Sequence, residues 1–81
     1  MLTAEEYREN VRHPGKFEGC SAYVPYFWDL LMDGDGEELD DNVVQFVVTN
    51  EDIAKFRNEL GYMCGHKIKL WEDDQGFVHE L

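Results

Sequence analysis

The clearest run of apolar positions, Val43-Val44-Gln45-Phe46-Val47-Val48, is almost continuous and rich in β-branched residues. That is the pattern of a strand covered on both faces. Thr49 and Asn50 follow as an N-cap, with Glu51 and Asp52 in the first turn, where the helix dipole favours anions. Ile53, Phe56 and Leu60 then recur at helical spacing, and Gly61 supplies the stop. Lys67-Ile68-Lys69-Leu70-Trp71-Glu72 alternates with period two, and so does Phe77-Val78-His79-Glu80-Leu81 beyond a polar turn. Those two runs predict a terminal β-hairpin.

Upstream the period is helical. Val24, Phe27, Trp28 and Leu31 stand at i, i+3, i+4 and i+7, with Pro25 in the first turn, which predicts a helix over 24–32. An extended stretch at Ser21-Ala22-Tyr23-Val24 competes with it. At the start, Thr3-Ala4-Glu5-Glu6 fits a capping box and predicts a helix over 4–12, ended by His13-Pro14-Gly15. Its apolar face of Ala4, Tyr7 and Val11 is thin, as on a surface helix. Asp33-Gly34-Asp35-Gly36 breaks regular structure, and 37–42 reads as a pliable acidic connector.

The expected fold is therefore a single compact α+β domain over 1–81. Its order is α-α-β-α-β-β: a three-stranded, mainly antiparallel sheet with a C-terminal hairpin and helices packed on it. A chain of 81 residues has no room for a second core and buries only ~60% of its unfolded surface. Aromatic residues at 14% supply the packing that a disordered acidic tail lacks.

Charge changes the picture most. Asp and Glu number 18 against 7 Lys and Arg, a formal net charge of −11. Between Lys16 and Lys55 there is no basic residue but ten carboxylates, seven of them from Asp29 to Asp41. Such a field repels nucleic acid and anionic membranes and attracts basic partners. Glu51 and Asp52 have a local role at a helix start, and Asp29 is expected to face water. Asp33, Asp35, Glu37, Glu38, Asp40 and Asp41 are left as the candidate partner-binding set. Tyr26 and Leu30 join them, because with Met32 they make the second helix apolar nearly all round. Such a helix is either buried on both sides or leaves a face for a partner.

The chemical alternatives are weak. Neither register of Asp33-Gly34-Asp35-Gly36-Glu37-Glu38 places Asp and Glu at both ends of a calcium loop. Cys20, Cys64, His66 and His79 lack the close pairs that zinc sites use, so no metal or cofactor is expected. Lys67, Lys69, Glu72 and Asp74 have the residue types of a nuclease centre, but the alternation reads as an ordinary solvent face. No phosphate loop or nucleophile–base pattern is present, and no enzyme is expected. Two cysteines are too few for a disulfide framework, although a Cys20–Cys64 bridge is open. The acidic N-terminus does not resemble a targeting segment, and a cytoplasmic setting is expected.

The functional expectation is a small acidic module that docks on a basic surface of a partner protein. Its sharper form is an inhibitor or nucleic-acid mimic of the phage and mobile-element anti-defence type, which itself binds neither nucleic acid nor membrane. The alternative is an accessory or homodimeric domain that acts through its apolar helix face, with charge serving solubility.

Overall fold

The computed structural model of the protein describes residues 3–10, 16–17 and 19–81. Among these residues four helices, α1 (Ala4–Asn10), α2 (Tyr23–Met32), α3 (Asn50–Lys55) and α4 (Arg57–Leu60), pack with four strands, β1 (Glu37–Asp40), β2 (Val43–Val47), β3 (Lys67–Glu72) and β4 (Val78–Glu80). The strands form one antiparallel sheet in the order β1-β2-β3-β4. The α+β character is as expected, but the sheet has four strands rather than three. The extra strand, β1, lies in the segment read as a loose connector.

The first helix begins as its capping box dictates. The Glu6 N–H donates to Thr3 Oγ1 and the Thr3 N–H to Glu6 Oε1, each at 3.2 Å. The expected stop at His13-Pro14-Gly15 and the apolar Val11 lie outside the described residues. The helix expected over 24–32 starts one residue earlier, at Tyr23, so the extended alternative for 21–24 does not hold. The helix expected after Thr49 is broken at Phe56 (φ −128°, ψ 48°) into α3 and α4. That break seats the fully buried Phe56 ring 6.2 Å from Tyr7 and 5.2 Å from Tyr26 between centroids.

Strand alternation fixes which face is buried. Val44 and Phe46 of β2 stand opposite Leu70 and Ile68 of β3, and all four point into the core with Val78 of β4. The other face carries Lys67, Lys69, Trp71 and Val47, which are exposed, together with Gln45. Across the inner face, Tyr23, Val24, Tyr26, Phe27 and Trp28 of α2 are all buried. Each large apolar side chain removed from water contributes about 1.5–3 kcal/mol. The aromatic helix is thus largely consumed by the chain's own core, with Leu30 and Leu31 half-buried and Met32 left exposed at its end.

Candidate docking surface

The end of α2 dictates where the acidic segment goes. The Asp33 N–H donates to the Asp29 and Leu30 carbonyls, the Gly34 N–H to Leu31 O, and the Asp35 N–H back to Leu30 O at 2.9 Å. Gly34 and Gly36 reverse the chain with φ of +98° and +92°, a region that side chains disfavour. Gly36 also lets the backbone lie on the core: a Cβ there would meet Phe46 Cε1 at 2.8 Å. The chain then runs back along β2, with Glu37 opposite Gln45 and Glu38 opposite Val44. The register shifts between Glu38 and Asp40, and the turn at Asp41 and Asn42 closes the hairpin.

Asp33 to Asp41 is therefore not the mobile loop expected from its glycines. Its second half is an ordered edge strand. All four residues of β1 are exposed, so no apolar alternation announced it. The calcium-loop reading, already failing in register, loses its loop as well. Among the described residues no group of three or more His, Cys, Asp or Glu is placed to hold a metal ion. Cys20 and Cys64 are not joined in a disulfide, and the Cys20 Sγ–H donates to Val78 O.

Two clefts flank β1. The larger, about 430 Å³, is floored by Tyr26, Phe27, Leu30 and Phe46 and rimmed by Asp35, Glu37, Glu51 and Asp52. The smaller, about 210 Å³, has Trp28, Leu31 and Met32 as its apolar wall and Glu38, Asp40, Asp41 and Glu72 as its acidic one. The candidate residues are divided between them: Tyr26, Leu30, Asp35 and Glu37 line one, while Glu38, Asp40 and Asp41 line the other. Asp33 lines neither and caps α2 instead. Tyr26 is a buried wall, not a protruding contact. Glu51, Asp52 and Glu72 had no signal in the sequence that would join them to this surface, because the fold brings them there from other segments, and Trp28 was read as a core position of α2.

Among the described residues, seven of the remaining carboxylates have a cationic or phenolic partner. Asp29 is half-buried rather than simply solvent-facing: it accepts the phenol of the buried Tyr7. Tyr23 donates to both oxygens of Glu80 at 2.6 and 2.7 Å, and Tyr26 to Asp52 Oδ1 at 2.6 Å. Glu59 and Glu5 pair with Arg8, Glu72 with Lys16, and Asp73 with His79. The Arg8 hydrogen bond holds the Glu59 carboxyl below its usual pKa, and the His79 hydrogen bond does the same for Asp73. Among the described residues, none of Asp33, Asp35, Glu37, Glu38, Asp40 and Asp41 forms an ion pair. Among the described residues, the only donor to any of the six from another side chain is Gln45 Nε2, 3.3 Å from Glu37 Oε2.

Among the described residues no helix is long and apolar enough to cross a membrane. No family model, curated protein or solved structure matches the chain.

Proposed function

We propose that the chain is a small acidic interaction module that docks through the β1 hairpin on a basic surface of a partner protein. One observation carries the reading. The six carboxylates from Asp33 to Asp41 have no cationic partner among the described residues, while Glu5, Asp29, Asp52, Glu59, Glu72, Asp73 and Glu80 are each paired with Arg8, Lys16, His79 or a tyrosine. Leaving like charges clustered and unneutralised destabilises a fold by self-repulsion, and a basic partner relieves it.

The sharper form is an inhibitor that mimics nucleic acid in a protein's nucleic-acid-binding cleft. A strand rises about 3.3 Å per residue, close to the roughly 3.4 Å of axis per phosphate along one strand of duplex DNA. Glu37, Glu38 and Asp40 occupy three of the four β1 positions, so their charge density along the strand approaches that of a phosphate backbone. Because the hairpin is already ordered, docking loses less chain entropy than ordering a loop would. The competing reading, an accessory or homodimeric domain working through an apolar α2 face, has little surface left to use: from Tyr23 to Trp28 the helix is buried.

The test is capture of a basic partner on the immobilised protein from extract of its source cell, followed by release with salt and with competing duplex DNA. The acidic-docking reading expects release as salt rises, and its mimic form expects release by DNA. Capture that is indifferent to salt overturns the docking reading, and release by salt but not by DNA overturns only the mimic form.

A further inference from the structure

We propose that β1 is a pairing edge: a basic extended segment of the partner adds to it as a further strand and places alternate lysine or arginine side chains over the two clefts. The inference rests on the acidic-docking reading and names how the partner is held.

The two edges of the sheet are not alike. At β4, the Val78 N–H donates to Lys16 O at 2.7 Å and Val78 O accepts from Cys20 Sγ, so the N-terminal segment already covers that edge. At β1, the only neighbouring strand among the described residues is β2. Among the described residues no hydrogen bond from outside the sheet reaches the backbone of Glu37, Glu38 or Leu39. An edge strand of this kind presents unpaired N–H and C=O groups to any chain that can lie against it.

Charge selects which chain that is. Two β1 strands paired together would set carboxylate against carboxylate, which is unfavourable across a strand pair. A strand carrying lysine or arginine reverses the sign. Successive side chains of an added strand point to opposite faces, as Glu37 and Glu38 do on β1, where one lines the larger cleft and the other the smaller. Alternate residues of the incoming segment therefore meet Asp35 and Glu37 on one side and Glu38 and Asp40 on the other.

The smaller cleft adds two independent observations. Trp28, only 8% exposed, lines it, and among the described residues its indole Nε1–H is buried without an acceptor. Buried donors of that kind normally have a partner, and a shift of the ring on docking would open this one to a carbonyl of the incoming chain. The same ring already receives a cation: Lys16 Nζ stands 5.1 Å from its centroid and 2.9 Å from Glu72 Oε2. The chain thus contains one example of the ring, carboxylate and ammonium arrangement that a partner's basic side chain would repeat beside Glu38 and Asp40.

The experiment titrates the full chain with a short peptide repeating Lys-Lys-Val-Val, which puts lysines on both faces of the strand, and with the same peptide N-methylated on alternate amides, which keeps the charge but blocks one pairing edge. Backbone amide exchange and chemical shifts of Glu37 to Asp40 are followed by NMR. Pairing at β1 predicts slowed exchange there, binding by the methylated peptide about tenfold weaker or less, and weaker binding of the parent peptide to Glu38→Gln/Asp40→Asn. Equal, salt-sensitive binding of both peptides without amide protection overturns strand addition while acidic docking stands. No binding of either peptide overturns strand addition, and so does protection of β1 by self-association of the free protein. Salt-indifferent capture of the natural partner, by contrast, removes the docking reading itself.

Discussion

The phenol of Tyr26 donates to Asp52 Oδ1 at 2.6 Å, while Asp52 Oδ2 accepts the Thr49 N–H at 2.9 Å and the Asp52 N–H donates to Thr49 Oγ1. One buried carboxylate therefore closes the start of α3 and ties it to the middle of α2. Removing the phenol takes a hydrogen-bond donor from a buried charge without changing the shape of the ring. Tyr26→Phe should lower unfolding free energy by about 1–3 kcal/mol in urea denaturation. Thr49→Ala, which removes a cap at a wetter position, should cost about 1 kcal/mol. A Tyr26→Phe protein as stable as the parent would mean that the Asp52 charge is satisfied without it.

The same tyrosine–carboxylate pairing sets the alkaline limit of the fold. Burial, followed by the hydrogen bond to Glu80, pushes the Tyr23 phenol from 10.0 up to about 12, and burial with the Asp52 bond raises Tyr26 as well. The folded chain thus holds these protons at a pH where the unfolded chain has lost them. Their contribution is complete below pH 10 and is lost as pH rises towards 12. Melting temperature measured across that window should fall, and Tyr23→Phe should flatten part of the fall. An unchanged slope in Tyr23→Phe would show that Tyr23 is not shifted.

How much of this could be read from the chain follows from which interactions are local. The capping box at Thr3, the N-cap at Thr49, the inward stripe Ile53, Phe56 and Leu60, and the strand at 43–47, which is buried on one face with Val47 exposed on the other, all have periods or spacings confined to a few residues. Each is visible without knowing the fold. Strand β1 carries no such mark, because an edge strand exposed on both faces has no side to keep apolar. Its pairing depends on Gly36 lying against Phe46 and on the hairpin with β2. Asp29 looked solvent-facing for a related reason: its partner Tyr7 is 22 residues away in a different helix. The acidic cluster was legible by composition, but its division between two clefts was not.

Gly36 and Gly34 separate two contributions to that hairpin. Both have strongly positive φ, but a Cβ at Gly34 would meet no atom within 4 Å, whereas one at Gly36 would collide with the Phe46 ring. Gly34→Ala should cost about 1–3 kcal/mol from backbone strain alone. Gly36→Ala adds displacement of a ring that is 4% exposed, and should cost more by about 1–3 kcal/mol in chemical denaturation. It should also speed amide exchange at β1 more than Gly34→Ala does. Equal losses from the two variants would mean that β1 does not depend on the Gly36–Phe46 approach.

The six unpaired carboxylates have a thermodynamic signature that is independent of any partner. Asp33, Asp35, Glu37, Glu38, Asp40 and Asp41 lie close along one hairpin, and among the described residues no cation offsets them. Changing all six to Asn or Gln removes repulsion while keeping shape and the chance to hydrogen-bond. The melting temperature should be equal or higher than that of the parent at low ionic strength. The difference should shrink as added salt brings the Debye length to about 10 Å and below. Partner binding should weaken in the same variant, because the attraction and the self-repulsion come from the same charges. A lower melting temperature at low salt would give these side chains a structural role, and unchanged partner binding would remove the hairpin as the docking site.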